Sequence, residues 1–539
     1  MPGRSRSDGG GWRSLLPRDP YTIAACLVFV SIVVLCWSAF VETDEELYLL
    51  GSRRVADPNF LAVDWTWSRL PPTSALFDHL VAPLWSFLDA FAIVNLGRLL
   101  FWGLMAWSIT LLAKTIRLPA WSVVVGFTIW LLWRQSLGTC GSPLQGFQPK
   151  SFAYPLVFFA LTFAIRGEVV WAGIAAGLSA VFHVIVGGWA CLALFSSMLV
   201  NRRLFTPRQL AIFLLSAAPF VVPLLVAVGM FRMADASGGD QGRMSEIYAV
   251  FAMPHCCDAS YFMAPSRIPL AWLRAAVVFA LAPVPVFAWP HRRGAMILGA
   301  FTVMLIGFFI VGLIAERLEL HGVLTLYPYQ LGNAIPALFL FMFVGGWIAV
   351  QGFSTRHRWA IAVPVLAGAI WLMLDAHVEQ GLVERPQVFF EQVRVMRLVS
   401  PTMTELDPLF EWIRTNTPRN SVFITPLIHE FWPYAERAQV ASMRHPPLDR
   451  RIIEWKERLE ALNGFRPYER QGFETEAELA AHERNLSIRD LIRIRDQYGA
   501  THYLVQGERR DLAAHLVYSQ LGYFLYDVTG MSLAECGAD

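Results

Sequence analysis

The stretch 20–50, PYTIAACLVFVSIVVLCWSAFVETDEELYLL, decides the fold. Its first part is an unbroken apolar run, and about 20 apolar residues are enough for a helix to cross a bilayer. The run gives way to a dense group of carboxylates: Glu42, Asp44, Glu45 and Glu46. The stretch therefore predicts a membrane-spanning helix over 20–41 that opens into an acidic external segment.

The composition of the whole chain agrees with a membrane environment. Of the 539 residues, 55% are hydrophobic and only 16% are charged, which is too little charge for the surface of a soluble protein of this size. Trp and Phe are abundant, as expected where amphipathic rings collect at membrane interfaces. We expect the lipid bilayer as a partner and no nucleic acid.

Apolar runs recur along the chain and predict about eleven transmembrane helices. The expected spans are 20–41, 89–113, 119–134, 151–165, 168–182, 184–200, 209–229, 270–289, 294–314, 329–351 and 359–375. One continuous run is split at His183 to give the fifth and sixth spans. Every second loop is rich in Arg and Lys, which marks those loops as cytoplasmic.

This alternation predicts the division of the chain. Residues 1–19 form a basic cytoplasmic N-terminus, and 20–385 form the transmembrane domain with a first external loop at 42–88. Residues 386–539 form a small external α/β domain, and the chain is expected to be a multi-pass membrane protein.

Helix and strand patterns alternate in the C-terminal part. IIEWKERLEALNG and SIRDLIRIRDQYG predict amphipathic helices, whereas SVFIT and THYLVQ predict buried strands. DLAAHLVYSQLG is expected to be a helix followed by the strand YFLYDV. No Gly-rich phosphate loop accompanies this pattern, so a nucleotide-binding domain is not predicted.

Position and architecture together resemble a known class. A many-span membrane part, the pair Asp44–Glu45 in the first external loop, a helical continuation of that loop and a C-terminal α/β domain resemble the GT-C class of integral-membrane glycosyltransferases of bacteria. DPLFEWIRTNTPRNSVFITP and IIEWKERLEALNGF are similar to segments of GT-C-like proteins of unassigned specificity. The resemblance implies a polyprenyl-phosphate sugar as donor and a glycan, lipid or protein as acceptor. It also implies the bacterial cytoplasmic (inner) membrane as the location, with the reaction and the C-terminal domain on the external, periplasmic side.

The acidic segment then supplies the candidate catalytic residues. Transfer to a hydroxyl requires a base, and Asp44 is predicted to be that base, with Glu45 as its neighbour or a metal ligand. Glu42 and Asp64 are possible acidic support. The sequence departs from the Asp-x-Asp form of some members, reading Glu42-x-Asp44 and then Glu45, so a divalent ion such as Mg or Mn is left open as the cofactor.

Other polar residues towards the external ends of spans are candidates for binding the donor phosphate or lining the cavity around it. They are Arg98, Lys150, His183, Gln330 and Asn333. Each also has a structural interpretation: a loop carboxylate could pair with Arg98, Lys150 could snorkel to the interface, and His183 could be a satisfied helix-end residue. In YPYQLGN, an aromatic belt is expected for the tyrosines, whereas Gln330 and Asn333 are expected to face a cavity. MPHCCDASYF is expected to form a lid or structural loop.

Two other functional classes remain open. A lipid or solute transporter (flippase) would require charged residues near the middle of several spans, and the spans are mostly apolar there. A non-catalytic membrane protein of envelope assembly is the remaining alternative.

Overall fold

The computed structural model describes residues 19–532 except 39–40, 134, 139–141, 145, 234–239, 269, 352–362, 364, 373, 375–405, 426 and 429. The chain is mostly helical up to residue 351. The helices of this part are α1 Pro20–Cys36, α2 Thr43–Ala56, α3 Ala75–Val81, α4 Ala90–Thr115, α5 Ala120–Leu132, α6 Pro149–Arg166, α7 Val169–Phe182, α8 Val184–Val200, α9 Pro207–Met233, α10 Asp240–Glu246, α11 Pro254–Cys257, α12 Ala259–Phe262, α13 Ala271–Leu281, α14 Pro283–Phe287, α15 Arg292–Arg317, α16 His321–Leu324 and α17 Ile335–Gln351.

Three helices of the described residues are long and apolar enough to cross a membrane: α4, the stretch Pro207–Phe231 of α9, and α15. Other apolar helices in the described part, including α1, α5, α7 and α8, have 10–17 residues. The predicted span 270–289 is divided between α13 and α14, because Pro283 and Pro285 cannot donate the hydrogen bonds of a continuous helix. Of the predicted span 359–375, residues 363, 365–372 and 374 are described, and these residues are helical.

Helices α7 and α8 meet at His183, where the sequence predicts the division. His183 ends α7 by donating its N–H to Ser179 O at 3.0 Å, and its Nδ1 accepts the N–H of Val186 at 3.2 Å. The two helices can fold back closely because a Cβ on Gly187 would lie 2.0 Å from Ala180 N. The glycine is thus needed for the tight hairpin.

The C-terminal part is an α/β domain. Its helices are α18 Asp407–Asn416, α19 Arg451–Leu462, α20 Thr475–Glu483 and α21 Ile488–Tyr498, and its strands are β1 Val422–Ile424, β2 Ala438–Gln439, β3 His502–Gln506, β4 Leu516–Gln520 and β5 Tyr523–Asp527. The sheet order is β2-β1-β3-β5-β4, with β1 parallel to β2 and β3, and β5 antiparallel to β3 and β4. The boundary predicted at residue 386 lies outside the described residues.

One prediction for this domain is wrong. The segment DLAAHLVYSQLG was expected to be a helix, but only Arg510–His515 forms a short 3-10 helix, and β4 follows it at once. Leu521 and Gly522, with φ of 53° and 79°, turn the chain back into β5. Cross-strand pairing with β5 thus overrides the weak helical pattern.

Candidate active site

The acidic segment forms the first turn of α2. Asp44, Glu45 and Glu46 all lie in this turn, where carboxylates are stabilised by the positive end of the helix dipole. The N–H of Glu42, the residue before the helix, donates to Glu45 Oε2 at 2.8 Å. The local sequence therefore fixes where the helix begins and directs three neighbouring carboxylates to different surroundings.

Glu45 forms a buried ion pair with Arg98 of α4. Arg98 Nε donates to Glu45 Oε1 at 2.8 Å, and its Nη2 donates to Oε2. Glu45 Oε1 also accepts the backbone N–H of Phe147. Because donors of this chain occupy both oxygens, Glu45 does not fit the expected role of metal ligand, and Arg98 is engaged with the loop carboxylate rather than free to bind a donor.

The chain before α6 is shaped to reach this ion pair. Gly146 has a φ of +74°, and a Cβ there would lie 2.8 Å from Glu45 Cγ. A residue with a side chain would meet both backbone strain and a steric clash at this position. The glycine thus allows Phe147 and Gln148 to approach the start of α2.

Glu46 turns in a third direction, towards the C-terminal domain. It is 8% exposed and accepts a hydrogen bond from the hydroxyl of Tyr434 at 2.9 Å. Burial raises the pKa of Glu46 to about 8, and the nearby charges of Glu430 and Glu45 act in the same direction. Glu46 is therefore mostly protonated at neutral pH and belongs to a domain contact.

Asp44 is the exposed member of the three consecutive carboxylates. It accepts a hydrogen bond from Gln148 Nε2 at 3.3 Å and interacts electrostatically with Lys150. Glu42 also acts on Lys150 through its charge. Within the described part of the chain, Lys150 makes no hydrogen bond or ion pair, and its side chain is half-buried. The exposed carboxylate of Asp44 and the half-buried side chain of Lys150 thus act on each other through their charges across the space between them.

Further polar side chains surround this space. His183 interacts electrostatically with Lys150, and Tyr48 interacts with Asp44. Gln330 lies near the hydroxyl of Tyr154, which lies one turn after Lys150 on the same face of α6. The structure therefore brings together several residues that the sequence predicts: Asp44, Glu42, Lys150, His183 and Gln330.

His255, from the segment expected to be a lid or structural loop, also faces Asp44. Burial lowers the pKa of His255 to about 4; the charge of Asp44 opposes this shift, whereas Arg444 and Arg267 reinforce it. The imidazole is therefore neutral at pH 7 and stacks on Phe473 with ring centroids 4.2 Å apart. The sequence does not predict the proximity of His255 to Asp44, because the two residues belong to α11 and α2, which are distant in the chain.

Asp64 lies away from the other predicted site residues, whereas the predicted place of Asn333 beside a cavity stays a prediction. Asp64 is completely buried in the contact with the C-terminal domain, where it accepts hydrogen bonds from Trp67 N at 3.0 Å, Trp432 Nε1 at 2.8 Å and Gln439 N at 2.9 Å. Its predicted role as acidic support near Asp44 is thus replaced by a structural one. Asn333 is fully buried, and its amide makes no hydrogen bond within the described residues.

The tyrosines of YPYQLGN are also placed differently from the expectation. Tyr327 is 9% exposed and its hydroxyl lies 2.6 Å from that of Tyr248, while Tyr329 is 1% exposed and donates to Glu316 at 3.0 Å. Both phenols are therefore internal hydrogen-bonding groups, and an aromatic belt at the membrane surface does not describe them.

The residues fit a cation-assisted site better than a metal site. Among the described residues, no group of three or more His, Cys, Asp and Glu side chains is arranged to hold a metal ion. Asp44 remains the accessible carboxylate of its turn, with the ammonium group of Lys150 as a nearby positive charge. A divalent ion at Asp44 thus stays a prediction of the sequence.

Comparisons with known proteins give a broad but weak likeness. The family model described as Domain of unknown function (DUF6798) matches residues 404–462, a small part of the C-terminal domain. No curated protein matches the chain.

Among solved structures, the chain is similar to ArnT from Cupriavidus metallidurans bound to undecaprenyl phosphate. The identity is 13% and the TM-score is 0.46, with 95% of this chain and 97% of that chain covered. The apo state of the same protein gives 12% identity, a TM-score of 0.38 and coverage of 94% and 97%. Because neither TM-score reaches 0.5, the functional assignment has to come from the site itself.

Proposed function

We propose that this chain is a membrane glycosyltransferase that moves a sugar from a polyprenyl-phosphate donor to an acceptor hydroxyl. In this reaction the acceptor oxygen attacks the anomeric carbon, the bond from that carbon to the phosphate oxygen breaks, and the lipid phosphate leaves with the electron pair. The acceptor hydroxyl gives its proton to a base. The reaction thus needs an accessible base and a positive charge near the departing phosphate.

The contrast between three consecutive carboxylates carries the proposal. Glu45 is held by Arg98 and Glu46 by Tyr434, whereas Asp44 stays exposed and interacts through its charge with Lys150, which makes no ion pair within the described residues. Asp44 is the proposed base. Lys150 is the proposed partner of the departing phosphate, and Glu45, through Arg98, is a positioning residue that holds the first turn of α2.

The proposed location is the external face of a bacterial inner membrane, with the C-terminal domain also outside. The loop between α9 and α13 contains Cys256, which is disulfide-bonded. Disulfides persist mainly in oxidising compartments such as the periplasm. This bond supports an external position of the loop that carries His255 and faces Asp44.

A complementation experiment tests the proposal. A strain lacking the chain is expected to accumulate its lipid-linked sugar donor, which mass spectrometry of extracted lipids would detect. The wild-type chain and Asp57→Asn, a control in the same loop, should remove the accumulated donor, whereas Asp44→Asn should not. Equal donor levels with all three chains would contradict the proposal and favour transport or envelope assembly.

A further inference from the structure

A cavity lined by polar and aromatic side chains lies between the first external loop and the C-terminal domain. Its lining does not include Asp44 or Lys150. Its volume is about 360 Å³, within the range typical of small-molecule sites. The loop and the domain both contribute to the lining: Ala62, Val63, Asp64, Trp65, Ser68, Val422, Gln439, Arg458 and Tyr498. We call this cavity the loop–domain pocket; it is complete only when the domain is docked.

The walls of the loop–domain pocket are held rigidly around Arg458. Its guanidinium carbon lies 4.2 Å from the ring centroid of Trp65 and 4.5 Å from that of Tyr498. Arg458 Nη1 donates to Val440 O at 3.0 Å, and Nε and Nη2 donate to Glu454 at 3.0 and 2.9 Å. The two rings and the guanidinium are therefore positioned before any ligand arrives, which lowers the entropy cost of binding.

One buried acceptor atom of a lining residue has no donor among the described residues. Gln439 is 1% exposed and its Oε1 makes no hydrogen bond within the described residues, although its Nε2 donates to Ile428 O at 3.4 Å. A buried polar atom without a partner carries a desolvation cost. A ligand hydroxyl that donates to Gln439 Oε1 would remove that cost.

The charges around the pocket favour a neutral ligand. The positive charge of Arg458 is offset by its ion pair with Glu454. Asp64, the carboxylate in the wall, already accepts hydrogen bonds from Trp67, Trp432 and Gln439. Among the lining side chains, all of which the structure describes, no net positive charge is therefore available to hold an anion such as phosphate.

Hydroxyl groups suit the remaining donors and acceptors. Arg458 has five N–H groups, and those not directed at Glu454 or Val440 remain available to a ligand oxygen. The Tyr498 hydroxyl accepts a hydrogen bond from Gln497 Nε2 at 2.9 Å and retains its own proton for donation. Together with Gln439 Oε1, these groups match a ligand whose hydroxyls both donate and accept and whose C–H faces pack against aromatic rings.

We propose that the loop–domain pocket binds a neutral saccharide, and that this saccharide is the non-reacting part of the acceptor glycan. The second statement rests on the proposed transferase function, whereas the binding itself does not. The loop that lines the pocket is the one whose first helix, α2, carries Asp44. Binding here would thus orient an acceptor relative to the loop of the reaction site, using contacts remote from the reacting atoms.

Direct binding to the purified full chain in lipid nanodiscs tests the pocket. The probes are neutral di- and trisaccharides of hexose and N-acetylhexosamine, observed by saturation-transfer NMR and titration calorimetry. Gln439→Met keeps the backbone N–H that Asp64 accepts and removes Oε1, so binding should weaken at least tenfold. Gln520→Met, in β4 and outside the pocket lining, should bind like the wild type.

Several results would overturn the saccharide pocket. They are an absence of binding of all these probes by the folded wild-type chain, wild-type affinity in Gln439→Met, or displacement of the saccharide by inorganic phosphate. Thermal unfolding of each variant checks that it is folded. A second variant, Tyr498→Ala, should also weaken binding at least tenfold, and unchanged affinity in it would count against the proposal.

Failure of the pocket and failure of the transferase proposal can be told apart. Asp44→Asn should bind saccharide normally while losing transfer, because Asp44 lies outside the pocket lining. If the wild-type chain showed no transfer while Gln439→Met lost saccharide binding, the pocket would stand without the transferase function. If saccharide binding were absent while Asp44→Asn lost transfer, the transferase proposal would stand without the pocket.

Discussion

Glu45 and Arg98 form an ion pair with side chains only 0% and 1% exposed, joining the first turn of α2 to α4. Arg98 Nη1 also donates to Ser38 O at 2.6 Å, so the same guanidinium reaches the chain just after α1. The pair therefore fixes the geometry of three segments around the start of the first external loop. Asp44, one residue earlier, is held at the exposed side of this framework.

Replacing one member of the pair should destabilise the protein strongly. Arg98→Met leaves the Glu45 carboxylate buried without its cation, which costs roughly 3–5 kcal/mol. Thermal unfolding in nanodiscs should show a large decrease of the midpoint. The double variant Glu45→Gln with Arg98→Met should recover part of the lost midpoint, since no unpaired charge remains. If Arg98→Met alone unfolded at the wild-type midpoint, the ion pair would not be structural.

The contact between Glu46 and Tyr434 should make stability depend on pH. Burial raises the pKa of Glu46 from 4.5 in the unfolded chain to about 8, so the stabilising contribution is full below pH 4.5 and is lost as pH rises towards 8. Above pH 8 the contribution of Glu46 to the free energy of unfolding no longer changes. The difference in unfolding midpoint between the wild type and Glu46→Gln should therefore shift in favour of the variant from pH 5 to pH 8.

The difference in unfolding midpoint between the wild type and Glu46→Gln isolates the effect of Glu46 from the effects of other titrating groups. Burial also raises the pKa of Asp78 to about 7 and that of Glu483 to about 8, and both are present in the wild type and the variant alike. A midpoint difference that is constant across the pH range would mean that Glu46 is ionised in the folded protein.

Asp64 should be essential for docking of the C-terminal domain. In Asp64→Asn, an amide NH₂ would face one of the three N–H donors that the carboxylate now accepts, at a cost of about 1–3 kcal/mol. Hydrogen exchange of β2, which contains Gln439, should become faster. Asp89 caps α4 directly after the same external loop, and Asp89→Asn serves as a control that should leave β2 unchanged.

Lys150 should affect use of the donor more than folding. Lys150→Gln removes the positive charge proposed to face the lipid phosphate, and loss of such a group lowers turnover by about 10²–10³. Lys150→Arg should restore part of the activity because the charge is kept. Lys114→Gln is the matched control, since Lys114 is half-exposed at the far end of α4 and pairs with Asp19; equal losses in both variants would contradict the assigned role.

Much of the helical part follows from sequence because its signals are local. The carboxyl-rich turn, the division at His183 and the caps of α21 by Ser487 and Gly499 depend on neighbouring residues. The contacts of Asp64 and Glu46 could not be predicted in this way. They depend on Trp432 and Tyr434, nearly 400 positions later in the chain, and a carboxylate in a sequence does not reveal which distant donor will bury it.

The site shows the same limit. Its carboxylates and Lys150 carry a local signal, since they stand at the ends of apolar runs. No local signal distinguishes the exposed Asp44 from the buried Glu45, because both are acidic residues in one helical turn. Only the position of Arg98, across the packed helices, separates the buried structural carboxylate from the exposed one.

Transfer by purified Asp44→Asn tests the central claim most directly. The donor would be the lipid fraction that accumulates in a strain lacking the chain, and the released polyprenyl phosphate would be quantified by mass spectrometry. We expect Asp44→Asn, folded and with wild-type unfolding midpoint, to release lipid phosphate about 10²–10⁴ times more slowly than the wild type, while Asp57→Asn keeps the wild-type rate. Release by Asp44→Asn at the wild-type rate would show that the exposed carboxylate of α2 is not the base.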